Sequence, residues 1–291
     1  MPFSYPEKQI FKKNYQIVAG IDEAGRGPLA GPVMAAVVMV SAKLPPSPSF
    51  LRGKGIRDSK SLSAKQREKI FKMIKQEPAI EWQISCVWPK VIDRINIWQA
   101  TLLTWQRCFK KLNSWPDFLF LDGKMGLPRL KTDQRAIVKG DQRIFLLSLA
   151  SIVAKVSRDK TMERLNKKYP AYGFAQHKGY GTKLHLERLK KFGPCQVHRK
   201  SFRPVFENLS FKDKVYYAVS RIPRGQTMTY QKVAQNIGHP RACRAIGNVL
   251  NKNTDSRIPC HRVVRSDGQI GGYNQGSQAK KKLLKKEGLL R

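Results

Sequence analysis

The sequence predicts two folded units in one chain, an α/β unit followed by a small, mostly helical unit. Apolar runs typical of strands alternate with amphipathic helical patterns through the first two thirds of the chain, as in α/β layer architectures. A helix-turn-helix pattern lies between Gly225 and Asn253. The segment around 205–211 separates the two patterns, so we expect domains at 1–207 and 211–291.

Strands and helices of the first unit follow from local patterns. Strands are predicted for three apolar runs: Ile17–Ile21, Met34–Val40 and Phe118–Leu121. Ser63 with Gln66 three residues later forms a capping box in front of an amphipathic helix. Asn96 is expected to cap a second helix, and a third is predicted from about Ser148 to Asn166.

The second unit contains two predicted helices. Thr229 is expected to cap a helix over Tyr230–Ile237, and another helix follows Pro240. The apolar residues of that second helix form one stripe: Ala242, Ala245, Ile246, Val249 and Leu250. Its other face carries Arg241 and Arg244, and this pattern fits either a solvated surface or close approach to DNA.

The composition points to a polyanionic partner. The 291 residues include 56 Lys and Arg against 20 Asp and Glu, which leaves a net charge of +36, and both predicted domains are basic. Nucleic acid is therefore the expected partner. The longest apolar run, Leu29 to Val40, is too short to cross a membrane, and five scattered cysteines indicate a reducing compartment. We expect a cytoplasmic monomer with no membrane partner and no signal peptide.

Acidic residues follow the predicted strands of the first unit. Asp22 and Glu23 come after an apolar strand and before a glycine-rich turn, Asp122 follows another strand, and Asp141 follows Gly140. Isolated acidic pairs are usually solvated. At the ends of buried strands, however, carboxylates lose hydration unless a cation or hydrogen-bond donors compensate. These residues are therefore candidate ligands for Mg²⁺ or Mn²⁺, which prefer oxygen ligands.

Several motifs within residues 15–205 carry a family resemblance. They are Gly20 to Val33, Asp58-Ser59-Lys60, Leu121-Asp122-Gly123, Lys139-Gly140-Asp141, Ala150 to Val156, Tyr172-Gly173-Phe174, His177 to Thr182 and His198 to Phe202. In content and order they resemble bacterial ribonuclease HII. The resemblance implies an RNase H-like fold, with a mixed sheet and flanking helices. It also implies endonucleolytic hydrolysis of RNA in RNA–DNA hybrids and 5′ of ribonucleotides embedded in duplex DNA.

The same resemblance implies roles for individual residues. Two divalent ions, Mg or Mn, would be held by Asp22, Glu23, Asp122 and Asp141. The turn Gly25-Arg26-Gly27 would read the ribose 2′-hydroxyl, and Tyr180 would stack on the neighbouring sugar. Phosphate contacts, or else solvated charges, are expected for Lys60, Lys155, Lys178 and Arg199. The alternative for this unit is a protein that binds hybrids without hydrolysis.

A cysteine in the second unit lies in the sequence Ile258-Pro259-Cys260-His261-Arg262-Val263. From this spacing, Cys260 is either a small buried apolar residue or a nucleophile whose pKa is lowered by its neighbours. Together with Thr229-Tyr230-Gln231, Arg244 to Gly247 and Gly271-Gly272-Tyr273, the segment resembles the active-site domain of O6-alkylguanine-DNA alkyltransferases, a winged helix-turn-helix-like fold.

This second resemblance implies stoichiometric alkyl transfer from O6-alkylguanine in duplex DNA to Cys260, without a cofactor. His261 would take the thiol proton through a water, and Glu287 would orient His261. Tyr230 would donate a proton to the leaving base, and Arg244 would fill the gap in the base stack. The N-terminal domain of that family is replaced here by the nuclease-like unit. The alternative is therefore a non-catalytic DNA-binding module that tethers the nuclease.

Overall fold

The computed structural model describes residues 5–44, 61–128 and 130–290. The chain divides into two compact units, Met1–Ser201 and Phe202–Arg291. Among the described residues, no helix is long and apolar enough to cross a membrane.

The first unit is built on a five-stranded mixed sheet. Its strands are β1 (Ile17–Ala24), β2 (Val33–Ser41), β3 (Ile80–Val87), β4 (Phe118–Asp122) and β5 (Asp133–Ile137). They lie in the order β3-β2-β1-β4-β5. The neighbours β3, β2 and β1 pair antiparallel, whereas β1, β4 and β5 pair parallel. Strand β1 therefore joins the antiparallel half of the sheet to the parallel half.

Helices flank this sheet. They are α1 (Tyr5–Lys12), α2 (Ala64–Gln76), α3 (Pro89–Phe109), α4 (Phe145–Lys168), α5 (Phe174–His177) and α6 (Lys183–Phe192). Because successive strand residues point to opposite faces, β1 contributes Val18 to the core under α2 and α4, and Ala19 and Ile21 to the core under α3. At Gly20, an added Cβ would lie 2.7 Å from the main chain of Leu146, so glycine permits α4 to pack directly on β1.

Several predicted elements are confirmed, with longer bounds. Ser63 and Gln66 form the capping box of α2. Asn96 lies inside α3 at a kink with φ 66°, where its Oδ1 accepts a hydrogen bond from the N–H of Gln99 at 3.0 Å. Strand β1 extends to Ala24, so Asp22 and Glu23 lie within the strand and not after it. Two strands, β3 and β5, were not predicted because polar residues interrupt their apolar pattern.

The second unit is small and mostly helical. Its helices are α7 (Arg203–Glu207), α8 (Phe211–Ser220), α9 (Tyr230–Asn236), α10 (Cys243–Asn251) and α11 (Ser277–Lys286). A short parallel pair joins β6 (Met228–Thr229) to β7 (Val263–Val264). The cap is confirmed, since Thr229 Oγ1 accepts from the N–H of Lys232 at 3.1 Å. Helix α10 starts later than predicted, so Arg241 precedes it, and Ala245 is exposed instead of facing the core.

Buried histidines form a directional hydrogen-bond chain in the first unit. The Cys195 N–H donates to Nδ1 of His198 at 3.0 Å, and the two Nε2 atoms of His198 and His185 are 3.0 Å apart. Nδ1 of His185 lies 2.9 Å from the Tyr180 carbonyl oxygen. His198 therefore donates from Nε2 and His185 from Nδ1, with both rings neutral. Burial lowers the pKa of His185 to about 4 and that of His198 to about 3.

We predict that acid destabilises the first unit through these histidines. The unfolded chain binds protons near the ordinary imidazole pKa of about 6.5, whereas the folded rings stay neutral well below it. Stability present above that pKa is therefore lost as the pH falls below it, by about 2 kcal/mol for each histidine at pH 5. Urea unfolding followed by tryptophan fluorescence isolates this unit, because all five tryptophans precede residue 202.

The test compares His185→Gln with the wild type between pH 7 and pH 5. The variant should lose its share of the pH dependence. The exposed His239 of the second unit supplies the control, since His239→Gln should leave the wild-type dependence unchanged. Equal pH dependence in His185→Gln and the wild type would contradict the assignment of a neutral His185.

Candidate functional site

Acidic side chains meet at the boundary between β1 and β4. The parallel register pairs Ile21 with Leu121, which places Asp22 of β1 and Asp122 of β4 side by side at the next position. The Gly140 N–H donates to Asp122 Oδ1 at 2.7 Å, and this bond holds the short 3₁₀ turn Gly140–Gln142 against β4. Asp141 lies in that turn and is fully buried. The topology thus brings all three segments of the predicted cluster together.

The electrostatics of this cluster favour bound cations. Burial raises the pKa of Asp22 well above its usual value, and the charges of Glu23 and Asp122 raise it further, against hydrogen bonds from Ser151 and the Glu23 N–H. Burial also raises the pKa of Glu23 to about 7, although Arg26 opposes that shift. Carboxyl groups in such surroundings take up protons unless another positive charge neutralises them.

The donor set fits a divalent metal ion. Oε2 of Glu23 is buried and accepts no hydrogen bond from the described residues. Carboxylate oxygens are the ligands that Mg²⁺ and Mn²⁺ prefer. Within the described part of the chain, no three His, Cys, Asp or Glu side chains are already arranged to hold a metal. The fit therefore rests on the donor chemistry, the raised pKa values and the unsatisfied Glu23 oxygen.

The turn Gly25-Arg26-Gly27 follows β1 and is held from below by Arg199. The Arg199 guanidinium donates to the carbonyls of Gly25 at 2.6 Å, Arg26 at 2.7 Å and Gly31 at 3.0 Å. Arg199 is fully buried. It therefore faces main-chain carbonyls instead of the surface position at which we expected a phosphate contact. The Arg26 side chain is exposed and lies 3.4 Å from Glu23 Oε1.

Tyr180 lies next to this turn. The residue is 43% exposed, and a Cβ added to Gly27 would be 3.9 Å from the Tyr180 Cε1. Lys155 Nζ and Arg158 Cζ lie 5.8 Å and 5.7 Å from the ring centre. The aromatic ring of Tyr180 thus lies beside an exposed glycine turn and close to two cationic side chains.

The remaining predicted phosphate contacts are distributed around Tyr180. Lys155 pairs with Asp159 at 2.9 Å, and Lys178 pairs with Glu163 at 2.7 Å. Both are partly exposed, so a phosphate competes with a surface carboxylate for each ammonium group. Lys60 lies outside the described residues.

In the second unit, Cys260 lies at a small cavity of about 250 Å³. The cavity is lined by Tyr230, Gly247, Asn248, Leu250, Asn251, Cys260, Gly272 and Tyr273. Cys260 is 5% exposed, and its sulfur accepts a hydrogen bond from Asn253 Nδ2 at 3.2 Å. Burial raises the pKa of Cys260, although the Asn253 bond opposes the shift. The thiol is therefore neutral in this state, and nucleophilic attack requires a base.

The residue that follows this cysteine, His261, pairs with a carboxylate at the end of the last helix. His261 Nε2 is 3.1 Å from Glu287 Oε1. Arg262 donates to both Glu287 oxygens, at 2.7 Å and 2.9 Å. The Arg262 bond lowers the pKa of Glu287 to about 2, and His261 contributes to the shift. Glu287 therefore stays ionised and holds one edge of the imidazole. Sequence reasoning missed Arg262 and Asn253, because no local pattern links them to the cysteine.

The face beside the cavity carries the predicted nucleic-acid contacts. A wider depression of about 510 Å³ is lined by Tyr230, Gln231, Pro240, Cys243, Arg244, Gly247, Asn248, Arg265, Ser266, Gly271 and Gly272. Arg241 and Arg244 are exposed, and Tyr230 is partly buried between the two cavities. Burial raises the pKa of Tyr230, so its hydroxyl stays protonated. Arg244 and Arg265 thus line a depression that shares Tyr230, Gly247, Asn248 and Gly272 with the cavity at Cys260.

The sheet topology and the acid cluster define the first unit as an RNase H-like nuclease. Residues 19–209 match the family model of Ribonuclease HII. The chain belongs to the ribonuclease HII family, and it is a ribonuclease HII enzyme. Residues 210–289 match the model of the 6-O-methylguanine DNA methyltransferase DNA binding domain, so a DNA-binding domain of that kind follows the nuclease.

Individual relatives agree with the first match. Ribonuclease HII of Caldicellulosiruptor bescii is 46% identical over 196 residues, which cover 67% of this chain and 91% of that protein. Ribonuclease HII of Endomicrobium trichonymphae is 47% identical over 208 residues, covering 72% and 95%. The crystal structure of ribonuclease H2 from Pyrococcus horikoshii has a TM-score of 0.55 at 27% identity, covering 66% of this chain and 96% of that one.

We predict that Glu287→Gln destabilises the second unit at neutral pH. The folded pKa of Glu287 is about 2, against an ordinary 4.5, so its charged form adds stability above about pH 4.5 that is lost as the pH falls toward 2. After screening of this partly exposed group, we expect a loss of about 2 kcal/mol at pH 7. Hydrogen exchange of peptides from 211–290 in urea measures it.

The matched control is Glu207→Gln, which neutralises a half-exposed carboxylate paired with Arg203 in the same unit. It should leave stability nearly unchanged, as expected for an exposed ion pair. If Glu287→Gln costs no more than Glu207→Gln at pH 7, the ion pairs of Glu287 do not stabilise the unit.

Proposed function

We propose that the first unit hydrolyses the phosphodiester 5′ of ribonucleotides, in RNA–DNA hybrids and in duplex DNA, with two divalent cations. The observation that carries this proposal is the buried acid cluster with its raised pKa values. Asp22, Glu23, Asp122 and Asp141 would hold Mg²⁺ or Mn²⁺. The chemistry that such ions supply when bound is activation of the attacking water and neutralisation of charge on the leaving 3′-oxygen.

Residues around the cluster would orient the substrate. The exposed turn at Arg26 and Gly27 would meet the ribose 2′-hydroxyl, because main-chain groups there approach a ligand without a Cβ in the way at Gly27. Tyr180 would stack on the adjacent sugar. Lys155 and Lys178 would exchange their carboxylate partners for backbone phosphates.

We expect Asp122→Asn to abolish cleavage of a duplex with a single ribonucleotide while duplex binding is retained. The substitution removes one charge from the metal-binding cluster, and the amide still accepts the Gly140 bond. Denaturing gel analysis of nicking with Mg²⁺, Mn²⁺ or EDTA provides the measurement, with a fall in rate of at least about a hundredfold for the variant.

Asp133→Asn serves as the matched control, since Asp133 lies at the start of β5 and accepts a hydrogen bond from Tyr15 on the surface. It should nick at the wild-type rate. Cleavage by Asp122→Asn at the wild-type rate, or metal-independent nicking by the wild type, would refute the two-metal proposal.

For the second unit we propose stoichiometric transfer of an alkyl group from O6-alkylguanine in DNA to Cys260. The thiol proton would pass through a water to His261, which Glu287 orients. The sulfur would then bond to the alkyl carbon as that carbon leaves O6, and Tyr230 would donate its proton to the leaving guanine. Arg244, exposed beside the cavity, would occupy the gap left by the flipped base.

A second candidate function is DNA binding alone. It is favoured by the burial of Cys260 and the raised pKa of its thiol, which hold the sulfur in its unreactive form. In that case the unit would bind duplex DNA through Arg241 and Arg244 and keep the nuclease near its substrate. We favour transfer because the His261–Glu287 pair supplies the base that a neutral thiol needs.

Methyl transfer from DNA labelled at O6-methylguanine separates the two functions. The wild type should take up about one label per chain, because the thioether does not turn over. Cys260→Ala should take up none, because it lacks the acceptor sulfur. Cys243→Ala is the control, since Cys243 is a second thiol of this unit that borders the wider depression and is not among the residues lining the cavity at Cys260. If the wild type takes up no more label than Cys260→Ala, only the DNA-binding function remains.

We infer that the protein acts as a cytoplasmic monomer on hybrids, ribonucleotide-containing duplexes and alkylated DNA. The five cysteines are all free thiols, in agreement with a reducing compartment.

A further inference from the structure

Two buried arginines lie beneath the surface formed by Gly25-Arg26-Gly27 and Tyr180. Arg158 and Arg199 are both fully buried, and their guanidinium groups donate to main-chain carbonyls. The Nε of Arg158 donates to the Pro32 carbonyl, and the Nε of Arg199 donates to the Gly31 carbonyl. Removing a guanidinium ion from water is costly unless its donors are satisfied. Neither side chain is at the surface, so neither contacts a nucleic-acid phosphate directly.

Arg199 fixes the orientation of two peptide groups in the turn. Its Nη2 and Nη1 take the carbonyls of Gly25 and Arg26, which therefore point inward. In a trans peptide the N–H points opposite to the C=O. The N–H groups of Arg26 and Gly27 must then point outward, and neither donates to an acceptor within the described residues. Two main-chain donors are thus presented at an exposed position of the turn.

Arg158 joins the chain that follows this turn to the segment that carries Tyr180. Its guanidinium donates to Pro32 at 3.1 Å, to Ala30 at 3.2 Å and to the Lys178 carbonyl at 3.0 Å. Gly25, at φ 93°, leaves room for it, since an added Cβ would lie 2.0 Å from Arg158 Nε. One planar side chain therefore sets the spacing between the chain following the turn and the chain entering Tyr180.

We propose that Arg199 and Arg158 are positioning residues for ribonucleotide recognition. Arg199 aims the Arg26 and Gly27 N–H groups at the 2′-oxygen, and Arg158 holds the segment that carries Tyr180 beside the chain that follows the turn. This inference rests on the function proposed above for the first unit and adds the residues that build its ribose-reading surface.

The planar fork of arginine is required for this arrangement. Three carbonyls around Arg199 lie in the directions of its Nε, Nη1 and Nη2 protons, whereas a lysine ammonium is shorter and tetrahedral. Burial lowers the pKa of Arg199 to about 9, so the group remains charged at neutral pH. Its charge also polarises the peptide groups whose carbonyls belong to Gly25 and Arg26, which strengthens the outward N–H donors of Arg26 and Gly27.

The test is Arg199→Lys, with Arg158→Lys as a second variant. Two quantities are measured for each: kcat/KM on a duplex with one ribonucleotide, and the inhibition constant of the matching all-DNA duplex in the same assay. We expect kcat/KM to fall at least about tenfold for Arg199→Lys, with the inhibition constant unchanged. Arg164→Lys is the control on the same helix as Arg158, because Arg164 is exposed and its hydrogen bond is to Thr161 within that helix.

The outcomes separate this inference from the proposed function. Unchanged kcat/KM in both arginine variants overturns it, as does an inhibition constant that weakens by the same factor, which would indicate lost phosphate binding. If tryptophan fluorescence shows Arg199→Lys unfolded at the assay temperature, Arg158→Lys decides the result. A wild type that cleaves ribonucleotide-containing and all-DNA duplexes equally would refute ribose recognition itself, and this inference with it.

Discussion

The burial of carboxyl groups where β1 meets β4 is the constraint around which the first unit is organised. Parallel pairing of these strands places Asp22 beside Asp122, and the Gly140 N–H fixes the second of them. The absence of a side chain at Gly20 brings α4 onto β1, which lets Ser151 reach Asp22. Because these carboxyl groups are buried, ionising each of them carries a large desolvation free energy. The carboxylates of this site therefore require a nearby positive charge, because they are shielded from water.

The two units use carboxylates in opposite ways. Burial raises the pKa values of Asp22 and Glu23, and the charge of Asp122 raises both further, so their negative charge is not fully compensated even though Arg26 opposes the shift of Glu23. Glu287 has a lowered pKa because Arg262 and His261 already neutralise it. An uncompensated group attracts a cation, whereas a compensated one holds its partners in place. The same side-chain chemistry thus gives a candidate metal site in one unit and an orienting group in the other.

The sequence predicts what depends on local pattern and misses what depends on distant contacts. Strands β1, β2 and β4 are continuous apolar runs, and the Ser63 and Thr229 caps need only residues three positions away. Strands β3 and β5 carry polar residues and are defined by their neighbours in the sheet. Arg199 was expected to contact a phosphate or to be a solvated charge, and only the folded chain shows three carbonyls converging on it.

In this protein, surface charge determines overall affinity for nucleic acid, whereas buried groups determine specificity. The excess of 56 basic over 20 acidic residues favours any polyanion and carries no information about sugar or base. Discrimination between sugars or bases requires hydrogen-bonding and reactive groups whose directions are fixed, and buried contacts fix those directions. In the first unit, buried guanidinium ions set the direction of main-chain donors; in the second, a small cavity leads to one buried sulfur. Salt weakens the electrostatic attraction between the basic surface and any duplex, whereas the buried contacts are little screened. Recognition of a 2′-hydroxyl or an alkylated base should therefore depend much less on ionic strength than overall affinity does.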